Sequence, residues 1–250
     1  MSTYQHQAEQ LMNSLGLPQQ PIAITFCNEL PNEIANFDGV VPAGCSFWQH
    51  AATKTFATSA SDHELCSIGV HTHNLSGATA AQPTELKTTL EAMIGLDYVR
   101  ESEISAIPVV AGQHKYVIYG PLSESKVEPD AVLLFAQAQQ GLILTESITR
   151  VDGDMPAAMG RPACAVIPQV MNLEKAAMSL GCCGARAYLD ALNDSIALWA
   201  LPGKKLSAYC DQIEILANAN KTLTMFHAQR SADIAAGLRP AVQESLAKLG

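Results

Sequence analysis

The segment Ser179-Leu180-Gly181-Cys182-Cys183-Gly184-Ala185-Arg186 sets two adjacent thiols between glycines, with an arginine two residues further on. Glycine beside a thiol lets the backbone approach a bulky ligand and adopt positive φ. A helix beginning after Gly184 would hold the thiols at its N-terminus near a cation, where the thiolate is favoured. Thiolate is the form that attacks electrophiles and binds metals. The blander alternative is a pair of small apolar residues in a tight turn, since free cysteine is among the most buried residue types. Three more cysteines stand in comparable surroundings: Gly44-Cys45-Ser46, His63-x-x-Cys66-x-x-Gly69 and Arg161-Pro162-x-Cys164.

Four thiolates from Cys45, Cys66, Cys164 and Cys182 suit an iron–sulfur cluster, of the 4Fe-4S type, or a structural zinc. Their spacing is not that of a zinc ribbon or a bacterial ferredoxin, which cluster their cysteines in Cys-x-x-Cys pairs. Dispersed ligands are chemically acceptable because only their meeting in space matters. Gly184 and the other glycines beside the ligands favour a large inorganic core over zinc, and a chain of this length does not need zinc to fold. Cys183 is then a spare ligand or a nearby thiol, and Arg186 a donor to cluster sulfur or to a substrate anion. The alternative for the set is four buried thiols with no metal.

Two metal-free readings compete. In one, Cys182 is a nucleophile, His63 or His71 its base, and the amides of Cys183 and Gly184 an oxyanion hole. The other is a binding protein for a small anionic or thiol-reactive ligand, anchored by Arg161 and Arg186. No Gly-x-x-x-x-Gly-Lys-Ser/Thr loop, no Gly-x-Gly-x-x-Gly after a strand and no His-Glu-x-x-His occurs in the sequence, so nucleotide and zinc-protease chemistry lack support.

The elements that must position these residues read as α/β. Ala8, Leu11, Met12 and Leu15 lie at helical spacing and Gly16 with Pro18 stops that helix. Strands are expected at 21–27, 115–119, 129–135 and 195–201, each a short apolar run rich in β-branched residues. Helices are expected from Gly44, from Asp62 as an N-cap, from Thr84 as an N-cap over Leu86, Leu90, Met93 and Ile94, and over about 137–149. The stretch up to Pro162 reads as a Gly/Pro/Asp loop. From Leu206 the pattern is helical, with breaks near Asn218–Asn220 and Pro240.

The openings Pro21-x-Ala23-Ile24 and Pro129-x-Ala131-Val132 are alike, and each precedes a spaced cysteine pair. Cys45 and Cys66 lie 21 positions apart, Cys164 and Cys182 lie 18 apart. Duplication would set the two pairs across a pseudo-two-fold axis. The expectation is a mixed sheet flanked by helices, with two pseudo-repeated halves at about 1–125 and 126–217. A helical C-terminal extension at 218–250 follows.

Composition narrows the function classes. The 250 residues are 48% hydrophobic and 16% charged, which marks a well-buried globular chain. Net charge is −9, from 24 acidic and 15 basic residues, which argues against nucleic acid and anionic membranes as partners. The opening residues lack the basic and apolar regions of a secretory signal, and no apolar stretch reaches membrane-spanning length. Seven cysteines then read as reduced thiols of a cytoplasmic protein. The expected partners are a small-molecule ligand or a redox partner, with a homodimer as the default assembly.

Taken together, the chain resembles the domain-of-unknown-function family 169. The resemblance rests on Pro21-Ile22-Ala23-Ile24-Thr25-Phe26, Cys45 with Phe56-Ala57, His63-x-x-Cys66-x-x-Gly69 and Pro129-Asp130-Ala131-Val132. Arg161-Pro162-x-Cys164, the Ser179–Arg186 segment and Pro202-Gly203-x-x-Leu206 complete it. It spans about residues 8–217. It implies that Cys182 is the family-type cysteine, that Cys183 stands at a variable position, and that residues beyond 218 are an addition. The family's poorly defined biochemistry implies no reaction.

Overall fold

The computed structural model describes residues 3–248. Helix α1 (Thr3–Leu15) leads into strand β1 (Ile22–Cys27), followed by a 3-10 turn at Gly44–Ser46 and helix α2 (Phe47–Ala51). Strand β2 (Phe56–Ser59) precedes three helices, α3 (Ser67–Thr72), α4 (Gln82–Gly95) and α5 (Glu101–Ile104), and then strand β3 (Tyr116–Pro121). The second half runs through strand β4 (Ala131–Gln137), helix α6 (Ala138–Asp152), strand β5 (Ala157–Met159) and a 3-10 turn at Ala163–Ala165. Helix α7 (Val166–Leu173), strand β6 (Ala177–Ser179), helix α8 (Cys183–Tyr188) and strand β7 (Ile196–Pro202) follow. Helices α9 (Leu206–Ala235) and α10 (Val242–Ala247) end the described chain.

The strands form one mixed sheet in the order β2-β3-β1-β4-β7-β6-β5. Every neighbouring pair is antiparallel except β5 with β6. The two similar strands of the sequence, β1 and β4, pair at the centre with Ala23 opposite Val132. On either side of that pair the elements occupy matching places. β3 and then β2 flank β1, while β7 and then β6 flank β4. A cysteine-bearing 3-10 turn follows in each half, but the connections differ: α3, α4 and α5 lie between β2 and β3, and α8 alone between β6 and β7. Helix α6 and strand β5 have no counterpart in the first half.

Side chains alternate across the sheet as the two-residue repeat of a strand requires. Ala131, Leu133 and Phe135 of β4 face one core; Val132, Leu134 and Ala136 face the other. The first core packs against α2, α3, α7 and α8, through Phe47, Trp48, Val70, Val166, Ile167 and Leu189. The second packs against α1, α6 and α9. Every cysteine-bearing turn of the candidate set lies on the first face.

Several boundaries differ from the sequence-based expectation. The helix carrying Gly69 starts at Ser67 with Cys66 as its N-cap residue. Asp62 does not cap it; its carboxylate accepts from the amide and hydroxyl of Ser59, closing a tight turn. Helix α4 begins at Gln82, ahead of Thr84. Strands β5 and β6 are three residues each, too short to stand out as periodic runs. Helix α9 runs unbroken through Asn218–Asn220, because asparagine costs a helix interior only about 0.7 kcal/mol and the helix continues on both sides. The expected domain boundary at 217/218 therefore falls inside a continuous helix. Among the described residues, no helix is long and apolar enough to cross a membrane.

Candidate functional site: a thiol-floored apolar cavity

Cys45 sits in the 3-10 turn Gly44–Ser46 and Cys164 in the turn Ala163–Ala165. Cys66 and Cys182 are the N-cap residues of α3 and α8. Each half thus supplies one thiol from a turn and one from a helix start. All four line a single cavity of about 460 Å³, and Cys183 and Gly184 line it too. Cys183 is exposed, Cys45, Cys66 and Cys182 are half-buried, and Cys164 is buried. Cys27 and Cys210 lie elsewhere; Cys210 belongs to the opposite core against α1.

The thiols sense one another. Burial, then the neighbouring Cys66 and Cys182 sulfurs, pushes the Cys45 thiol up to about 12. Burial and Cys66 push the Cys164 thiol up as well, while a hydrogen bond with Thr72 at 3.5 Å works against the rise. Without a cation these two are neutral thiols at neutral pH. Metal coordination removes the proton outright. Among the described residues, no three His, Cys, Asp or Glu side chains converge tightly enough to hold a single metal ion. Tetrahedral zinc needs four sulfurs within about 2.3 Å of one point.

His63 is buried behind Cys66. Its Nε2 lies 3.3 Å from Thr58 Oγ1, its ring packs on Phe47, and its Nδ1 has no partner. Desolvation, with His73 nearby, lowers its pKa to about 3. Two glycines press on this nitrogen. A Cβ on Gly44 would lie 2.7 Å from His63 Nδ1, and one on Gly69 would lie 3.0 Å from it and 3.1 Å from Cys66 Sγ. His73, also buried, directs Nδ1 to the Gly69 carbonyl at 2.9 Å and has its pKa lowered by desolvation to about 4. His71 is exposed and lines the cavity. Among the described residues, no histidine nitrogen is hydrogen-bonded to a thiol, so the geometry offers Cys182 no paired base.

Arg186 is not free to take an anion. Its guanidinium donates to the carbonyls of Leu180, Leu192 and Asn193 and so braces the loop that presents Cys182. Gly181, at φ +92°, makes the turn; a Cβ there would meet Leu192 at 2.9 Å. Gly184 is under no such pressure, with only Tyr188 at 3.8 Å. Arg161 lies over the Tyr98 ring, 4.4 Å from its centroid, and pairs with Glu103 at 3.6 Å. The neighbouring Cys183 thiol pushes the Tyr98 phenol up.

The sequence reading missed the apolar wall of the cavity. Leu86, Leu90 and Met93 of α4, with Val99, Ile104 and Ile107 beyond it, line the same cavity as the thiols. The helical spacing of the α4 residues was visible, but their facing a cavity was not.

No curated protein and no solved structure matches the chain. The model of domain of unknown function 169, described as uncharacterised ArCR, matches residues 10–212. The matched span includes all four candidate thiols and both glycines that press on His63, and the chain belongs to that family.

Proposed function

We propose that Cys45, Cys66, Cys164 and Cys182 hold an iron–sulfur cluster at the floor of the cavity, and that the chain uses it for redox or small-molecule chemistry. The observation that carries this reading is the opening of four sequence-distant thiols, two from each half of the sheet, onto one cavity. Two features of the surroundings fit the group. The backbones of Gly44 and Gly69 pack closely on His63 Nδ1, Gly69 also on Cys66 Sγ, and that buried nitrogen is unpartnered. A neutral imidazole there can donate a hydrogen bond to a thiolate or sulfide, and such bonds tune the potential of sulfur-bound iron. A bound cluster would supply one-electron transfer or a Lewis-acidic iron.

The protein's own contribution is to desolvate the site and fix its ligands. Thr72 Oγ1 contacts Cys164 Sγ, His63 stands behind Cys66, and Arg186 locks the Cys182 loop. A cytoplasmic setting, a redox partner and assembly as a homodimer belong to the same proposal.

The test is iron, zinc and acid-labile sulfide on protein purified without oxygen, with its visible spectrum. Iron and sulfide in comparable amounts with broad visible absorption are expected. Cys45→Ser and Cys182→Ser should abolish both, whereas Cys210→Ser, on the opposite face of the sheet, should keep them. Equal iron in all three variants would sink the proposal. Zinc alone would make the site structural, and no metal would return the thiols to the nucleophile and ligand-binding readings.

A further inference from the structure

The amphipathic helix α4 buries only one side chain, the polar Gln82. That residue anchors the start of the helix, donating to the Ala60 carbonyl at 2.9 Å and accepting from the Thr79 amide at 2.8 Å. Its apolar stripe, Leu86, Leu90 and Met93, is only half-buried and looks into the cavity instead of a packed core. A helix of a globular protein ordinarily buries such a stripe. Here the stripe's missing contacts line a cavity of about 460 Å³, a volume in the range of small-ligand sites.

The charge at the mouth is already cancelled. Arg161 is paired with Glu103 and stacked on Tyr98. Arg186, the other cation of the region, is spent on backbone carbonyls. An anion entering the cavity would have to break one of these pairs and leave its partner exposed to an apolar wall. A neutral apolar molecule breaks none of them and gains roughly 25 cal/mol for each Å² of the α4 stripe it covers.

We infer that the cavity binds a neutral, predominantly apolar small molecule, held against the α4 stripe in the space the thiols also line. Its binding rests on the apolar wall alone; that it is also a substrate rests on the cluster proposal.

The test uses the full chain, purified without oxygen, with neutral N-phenylnaphthylamine as a fluorescent probe and its anionic relative anilinonaphthalene sulfonate as the comparison. Saturable one-to-one binding of the neutral probe is expected, at least about ten-fold tighter than that of the sulfonate, a ratio corresponding to about 1.4 kcal/mol. Leu90→Glu and Met93→Glu should each weaken the neutral probe about ten-fold or more with an unchanged circular dichroism spectrum. Leu223→Glu, on exposed α9, should leave binding as it was. The inference is overturned by absence of saturable binding, by equal or tighter binding of the sulfonate, or by an α4 variant that binds normally. Iron and sulfide are measured on the same samples. Probe binding that follows this pattern in metal-free protein would remove the cluster and leave the apolar site standing; a full cluster without probe binding would do the opposite.

Discussion

At the scale of single residues, the candidate site depends on what is left out as much as on the thiols. Gly44 and Gly69 have ordinary negative φ values, and their lack of a side chain matters for space alone. The nearest atom to a Gly44 Cβ belongs to a fully buried imidazole that cannot swing aside. Gly44→Ala should therefore cost about 1–3 kcal/mol in denaturant unfolding, the range for overpacking a closed core. Gly184→Ala, with nothing nearer than Tyr188 at 3.8 Å, should be close to neutral. Equal stability of the two variants would mean that the Gly44–His63 contact is not tight. The cysteines were legible in the sequence as residues with chemistry. The glycines that shape their site were legible only as neighbours of cysteine, because close approach is a property of two segments and the sequence displays one at a time.

At the scale of elements, strands with strong period or strong apolar runs were readable, and β1, β3, β4 and β7 lie where they were expected. The three-residue strands β5 and β6 were not, since three residues carry no periodicity and exist by pairing with each other and with β7. Helix α9 shows the opposite error. Its asparagines read as breaks, yet the helix continues across them. If the helix is continuous, Asn218→Ala should raise stability by about 0.5 kcal/mol and Asn218→Gly should lower it by a few tenths, as expected for an exposed helical position. A break at this point would instead make both changes neutral. Urea unfolding midpoints with unchanged slopes distinguish the two cases.

At the scale of the whole molecule, the sheet divides the chain's chemistry from its scaffolding. One face carries the four thiols, His63 and His73; the other is packed against α1, α6 and α9 and holds Cys210. The two buried histidines make the fold sensitive to acid. Their folded-state pKa values, about 3 and about 4, lie below the ordinary 6.5. Below pH 6.5 the unfolded chain takes up protons that the folded chain refuses. Their stabilising effect is thus complete above pH 6.5 and is lost as pH falls toward 4 and 3, at roughly 1.4 kcal/mol for each unit of difference. Thermal midpoints of metal-free protein should fall over that window, and His73→Gln should lose less between pH 6.5 and 4 than the parent chain. A slope that His73→Gln leaves unchanged would show that the acid sensitivity lies elsewhere.

The sequence by itself determined the α/β class, the central strands, the family, and which cysteines stand in glycine-flanked settings. These follow from local patterns: residue period, turn residues and short motifs. Only the tertiary structure decided that turns some 120 residues apart, at Cys45 and Cys164, open onto one cavity, that Arg186 is a loop brace, and that the apolar stripe of α4 lines that same cavity. The order β2-β3-β1-β4-β7-β6-β5 brings the two halves side by side, and no single segment encodes that adjacency. It arises from strand pairing and from burying two faces of one sheet at once, which are properties of the whole chain.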